Sequence, residues 1–302
     1  MPRSELRPLG VAEIVDVALK VYLRHAPSLF NLVAIVVVPV QLLQLLFTLS
    51  ITPAAEAVGS GTLLTGTVTG ADAPTVAGLV FGGLLVGLLT FVATTLATGA
   101  CFKAVADAYL GDQPDTSQSL RFARGRLGSL MLVSFLGAVL AFLGFLLFVL
   151  PGVYLWIAFS VAAPVVLFEG MEGTGALGRS RRLVQGRWWR VFGTLLLGFI
   201  LAAIVGGIIT SVLTGVLAVG AGSGDFVEAL VGAVAGSVAA IVTTPFQAAL
   251  IAILFFDLKV RKEGFDAALL ADGMAAPPSR AAPEDRRGIG PSERAPEPPP
   301  GG

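Results

Sequence analysis

The chain holds one cysteine, Cys101, and one histidine, His25, in 302 residues. A single cysteine excludes an internal disulfide, and one Cys with one His cannot complete a structural zinc site. Charge is scarce too. Only 13% of residues are charged, where a soluble domain carries about 25%. Formal net charge is zero, so bulk charge points to no nucleic-acid partner. From Leu127 to Phe168 no side chain is charged at all, a run too long for one membrane crossing of about 20 residues. Lys and Arg are missing from three of the links between apolar runs, at 52–75, around 151 and at 218–228.

What is present is grease: 55% of residues are hydrophobic and mean hydropathy is +0.85. Several apolar runs exceed the length that marks a spanning helix. The expected fold is all-α, a polytopic membrane protein with six transmembrane helices at about 29–51, 76–100, 129–150, 152–168, 191–217 and 229–256. Pro151-Gly152 is expected to turn the third span into the fourth, because Pro-Gly is a turn dipeptide. The 28-residue leader and the 23-residue run after it are long for a signal peptide, so 29–51 reads as a span.

All 20 Lys and Arg residues fall in four stretches, 1–28, 101–128, 169–190 and 257–302, while the outer links hold only the acids Glu56, Asp72, Asp225 and Glu228. Basic loops stay cytoplasmic, so both termini are expected there. The polar stretches have structure of their own. Val11, Ile14, Val15, Ala18, Val21 and Tyr22 share one helical face, with Glu13, Asp16, Lys20 and Arg24 opposite. That pattern suits a helix in the membrane interface, or one packed on other loops. A second such helix is expected from Ser117. Residues 257–302 end in Pro298-Pro-Pro-Gly-Gly302 and read as a disordered cytoplasmic tail.

One stretch repeats. Ser119-Leu-Arg-Phe-Ala-Arg-Gly-Arg126 aligns with Ser180-Arg-Arg-Leu-Val-Gln-Gly-Arg187 at an offset of 61 residues. The expected unit is one interfacial amphipathic helix plus a helical hairpin, used three times. Small residues four apart, Gly78 with Gly82 and Gly83 with Gly87, are expected to allow close helix approach. Thr90, Thr94, Thr95 and Thr98 are expected to bond back to their own helix.

Further segments carry a resemblance. These are Leu150-Pro-Gly-Val-Tyr-Leu-Trp156, Ala163-Pro-Val-Val-Leu-Phe-Glu169, Ala176-Leu-Gly-Arg-Ser180 and Gly186-Arg-Trp-Trp189, with Leu6 to Asp16 and Phe256 to Phe265 at the ends. Over about 1–266 the chain resembles bacterial, actinobacterial-type membrane proteins grouped with the glycerophosphoryl diester phosphodiesterase membrane domain and related families of unknown function. That resemblance implies an accessory to lipid or envelope processes. It implies no phosphodiesterase activity, because the tail holds no His, Glu and Asp cluster to bind a metal.

An enzyme needs a general acid, base or nucleophile, and none of the expected spans carries Asp, Glu, Lys, Arg or His. Glu169, at the exit of span four, is expected to pair with Arg179 or Arg182 rather than act as a base. No catalytic residue, cofactor or metal is therefore expected. The favoured reading is a non-catalytic integral membrane protein whose basic helices contact anionic lipids, a membrane-protein partner or a second copy. Its contact residues are Arg121, Arg124, Arg126, Arg179, Arg181, Arg182, Arg187, Trp188 and Trp189. The alternative is a transporter of a small neutral or lipid-like substrate, using the intramembrane polar residues Gln41, Gln44, Thr243 and Gln247, with Pro39 and Pro245 opening the helices. Sidedness can be tested by cysteine labelling in whole cells. Pro151→Cys is expected to react with an impermeant reagent from outside. Arg121→Cys and Arg182→Cys are expected to react only from inside, and opposite sides for these two would refute the topology.

Overall fold

The computed structural model describes residues 10–58, 73–221 and 224–275. Among these it is helical throughout its regular structure, with no strand. The elements are α1 (Val11–Arg24), α2 (Ala26–Val58), α3 (Ala73–Leu110), α4 (Thr116–Gly125), α5 (Leu127–Leu147), α6 (Val149–Ala158), α7 (Ala162–Pro164), a π-helical turn (Val165–Glu169), α8 (Gly173–Val184), α9 (Trp188–Ala221) and α10 (Asp225–Ala275). Six segments are long and apolar enough to cross a membrane: Ala26–Ser50, Val76–Leu110, Leu127–Leu147, Val149–Glu169, Trp188–Leu217 and Phe226–Lys262.

Two of these outrun the bilayer. Val76–Leu110 and Phe226–Lys262 have 35 and 37 residues. At about 1.5 Å per residue they measure roughly 52 and 55 Å, against a hydrocarbon core of about 30 Å. Hydropathy marks only the greasy part of a helix, so the sequence-based ends at 100 and 256 fall short. Helix α10 also runs past 257, where the tail was expected to begin, as far as Ala275; the rest of that expected tail lies outside the described residues.

The buried core lies towards the ends of the spans that carry the basic residues. Leu29, Leu32 and Val33 of α2 are buried there, with Ala100 to Val105 of α3 and Ala248 to Phe255 of α10. The opposite halves expose Leu42, Leu46, Phe81, Leu84, Ile204 and Ile208, surface that suits lipid. The 18-residue windows of α2 and α3 are only 11% and 6% buried, whereas that of α10 is 50% buried, so α10 is the central helix.

The amphipathic helices pack on protein. Ile14 and Ala18 of α1, Ser119 and Ala123 of α4, and Ala176, Ser180 and Leu183 of α8 are fully buried. Of the two expectations for such helices, packing on the rest of the chain therefore describes their apolar faces. Helix α4 lies on α2 and α3, the hairpin before it, and α8 lies on α5 and α6, the hairpin before it. Helix α1 touches α2 and α3 and also meets the last hairpin: it contacts α9, and its Tyr22 hydroxyl donates to the Val242 carbonyl of α10 at 3.1 Å. Local chemistry starts these helices. The Asp115 carboxylate accepts from the Ser117 hydroxyl at 2.8 Å and from the amides of Ser117 and Gln118, capping α4. Those bonds hold its carboxyl below the usual carboxylate range. Gly10 N–H donates to Glu13 Oε2 at 2.7 Å at the start of α1.

Two expectations about breaks are corrected. The reversal between spans three and four falls at Phe148, which is extended (φ −168°, ψ 151°), and Pro151-Gly152 lies inside the first turn of α6. Proline suits a first turn, where its missing N–H has no helical partner to lose. Gly152 serves the hairpin differently: a Cβ there would lie 2.7 Å from the backbone nitrogen of Phe145. The second correction is that span four is not one helix. It breaks at 159–161, then resumes through α7 and the π turn. Pro164 cannot donate to the Ser160 carbonyl, which removes a rung at the break. Ser180 Oγ donates to the Ala158 carbonyl at 2.7 Å, and Arg126 Nη1 donates to the carbonyls of Val166, at 3.1 Å, and Leu167. Elsewhere Pro39 and Pro245 do not open their helices, which run through both.

Tyr22 ties α1 to α10 by its hydroxyl and by edge contacts with Phe30 and Phe246, at 5.8 and 5.9 Å between ring centroids. Burial raises the phenol pKa further, so this donor keeps its proton across ordinary pH. Tyr22→Phe is expected to cost about 1 kcal/mol by removing the bond alone, and Tyr22→Ala about 3 kcal/mol or more. Thermal unfolding in detergent checks both.

Candidate functional site

The charged side chains gather towards the end of α3, around residues 257–262 of α10, and where α5 and α9 begin. Three of the ion pairs join different elements, so the cluster ties the helices together. Glu169, the last residue of the π turn, receives Arg179 of α8 through Nε at 2.8 Å and Nη2 at 3.0 Å. Its other neighbour is Lys259 of α10, at 3.5 Å. Of the two partners expected for Glu169, Arg179 and Arg182, it is Arg179 that pairs, and one carboxylate joins span four, α8 and α10.

Asp257 of α10 forms a second centre. Its carboxylate side chain is 1% exposed. Arg261, one turn on, donates to both its oxygens at 3.0 and 2.9 Å, and Arg190 of α9 lies 3.6 Å away. Arg190 Nε and Nη2 are buried and make no hydrogen bond among the described residues. Lys262 Nζ donates to the Arg182 carbonyl at 2.5 Å, linking α10 to the end of α8. Lys103 pairs with Asp107 within α3, and Ser129 donates to Glu172 at 2.8 Å.

The expected contact residues divide. Arg126 is spent on the π-turn carbonyls and lies over the Phe122 ring at 5.0 Å. Arg179 is spent on Glu169. Arg121, Arg124, Arg181 and Arg182 are exposed, and none forms an ion pair among the described residues. Arg187 is half-buried. Trp188 stacks on Phe192 with centroids 5.4 Å apart, while Trp189 is 77% exposed. The intramembrane polar residues do not converge. Gln44 Nε2 donates to Thr90 Oγ1 at 3.3 Å, and Thr243 bonds to the Ala239 carbonyl at 2.8 Å. Gln41 faces Gly236 of α10, Thr243 is two turns further along α10, and Gln247 is half-buried one turn beyond that. Thr90 and Thr94 bond back to Val86 and Thr90 as expected, both at 2.8 Å.

Sequence reasoning missed the Asp257 centre. Its partner Arg190 lies 67 positions away, and no local spacing announces such a pair. The signal that was available is an acid, Asp257, placed one turn before Arg261 where the last apolar run gives way to charge.

Residues 9–258 match a family described as Domain of unknown function (DUF7847). The chain belongs to that family. No curated protein and no solved structure matches it. The match spans every one of the six long apolar segments apart from the last turn of the sixth, so the family is defined by this membrane body. It names no activity, and the phosphodiesterase membrane domain suggested by the motifs is not what it reports.

Removing one partner of a buried ion cluster leaves the others uncompensated. Asp257→Asn is expected to lower stability by about 3 kcal/mol, because it strands Arg190 and Arg261 together. Protease resistance and thermal unfolding of the purified protein in nanodiscs measure this.

Proposed function

We propose that this protein is a non-catalytic accessory or organising component of a bacterial plasma membrane, holding anionic lipid headgroups against its cytoplasmic face. The observation that carries this reading is the division among the arginines. Arg179, Arg126 and Arg261 are used inside the fold, whereas Arg121, Arg124, Arg181 and Arg182 are exposed on α4 and α8 without an ion pair among the described residues. Arg121 feels the longer-range field of Asp115. Cations held near an anionic surface gain about 1 kcal/mol each. Trp189, exposed beside them, supplies the amphipathic ring that favours a headgroup level.

The same arrangement supports cytoplasmic termini at both ends, because basic loops are retained on that side. It also supports a body of three units, each an amphipathic helix and a hairpin. In the offset-61 alignment Ser119 and Ser180 are both fully buried, as equivalent positions should be. A tie to the glycerophosphoryl diester phosphodiesterase membrane proteins rests on the sequence motifs alone.

Replacing Arg121, Arg124, Arg181 and Arg182 with Gln is expected to reduce co-purified anionic lipid about tenfold or more, by the loss of roughly 1 kcal/mol per site. Lipid mass spectrometry on protein from nanodiscs measures it. Unchanged anionic lipid rejects the reading. Loss of a co-purifying membrane protein with lipid unchanged assigns the same arginines to a protein partner instead.

A further inference from the structure

Away from the arginines, α2, α3 and α10 do not close on one another. They enclose a groove of about 530 Å³, lined by Gln41 and Gln44 of α2, Gly83 and Gly87 of α3, and Gly232 of α10. That volume falls within the range of about 300 to 1,000 Å³ typical of small-molecule sites. We propose that this groove is a binding site for one bilayer lipid, with an acyl chain along the glycines and its ester or amide linkage on the two glutamines.

The glycines make the first argument. They were expected to bring helices together, and only one does. A Cβ on Gly82 would lie 2.3 Å from the Phe47 ring, so Gly82 is where α2 and α3 touch. Gly83, Gly87 and Gly232 have no atom within 4 Å of where a Cβ would stand. They leave a smooth wall beside a space, and a chain of methylenes fits such a wall.

The glutamines make the second. Gln44 is partnered by Thr90, but the Gln41 amide makes no hydrogen bond among the described residues. An amide in hydrocarbon without a partner is costly, so an occupant with a carbonyl is favoured there over a plain alkane. Depth makes the third. Gln41 and Gln44 stand 15 and 18 residues from Ala26 at the basic end, about 22 and 27 Å along the helix. In a core of about 30 Å this places Gln44 about 3 Å and Gln41 about 8 Å inside the far boundary, just below the acyl linkages of the far leaflet. The surrounding faces of α2 and α3 expose Leu42, Leu46, Leu84 and Leu88, so the solvent around the groove is lipid itself. Nothing in this argument uses the arginines, and its failure would leave the reading of the basic face intact.

The test uses full-length protein in nanodiscs of neutral lipid that contain a phosphatidylcholine with a diazirine on one acyl chain. After illumination, labelled peptides are mapped. Label is expected to concentrate on 41–48 and 83–87, above the level on the exposed hairpin tip at Leu146 to Leu150, which reports ordinary lipid contact. Gly83→Leu with Gly87→Leu starts each new side chain in open space and fills the groove, and is expected to cut that label about tenfold while unfolding temperature is kept. Gln41→Leu with Gln44→Leu, which keeps the space and removes the amides, is expected to cut it about fivefold, the effect of one hydrogen bond. Label equal to that on the hairpin tip, or unchanged by the leucines, overturns the proposal. So does disulfide dimerisation of Gly87→Cys in a Cys101→Ala background, which would seat a second copy in the groove.

Discussion

Glu169 held between Arg179 and Lys259 is the contact on which the architecture depends. It stands at the end of a span that breaks and re-forms, and it holds that end to α8 on one side and α10 on the other. In water such a pair contributes little. At the edge of a bilayer, partly buried, each ion needs the others, because none of them can retreat into solvent without pulling its helix along. Asp257 repeats the arrangement for α9 and α10. The packed core lies at the same end, so ionic ties and apolar burial reinforce each other there. The opposite halves of the helices meet lipid instead of protein.

The six spans and the basic asymmetry were legible in the sequence, because both follow from composition over windows of about 20 residues. So were the amphipathic helices and a pairing of Glu169 with an arginine of the next helix, though not which one: Arg179, ten positions on, rather than Arg182. What escaped depends on distance along the chain. Pro164 is visible in the sequence, but a break in span four is tolerable only because Ser180 and Arg126 reach its freed carbonyls from 22 and 40 positions away. Pro151 misled for a related reason: its residue type says "turn or first turn", and only the close approach of Gly152 to Phe145 decides between them. The candidate contact residues were found as a class but not sorted, since sorting Arg179 from Arg181 requires knowing which face of α8 is buried.

The glycines on α3 show the same limit. Small residues four apart advertise closeness, yet Gly82 is pressed on Phe47 while Gly83 and Gly87 stand open. A spacing rule gives the stripe. The partner helix gives its meaning.

The placing of α1 has a consequence for how the chain is made. Helix α1 leaves the ribosome before α9 and α10, on which it docks, while α2 and α3 give it earlier contacts, Phe30 against Tyr22 among them. Until the later helices follow, the face that carries Ile14, Ala18 and Tyr22 is covered only in part. The clasp of Tyr22 on Val242 therefore closes late in synthesis, and a chain stopped short of α10 leaves part of that greasy face open to quality control.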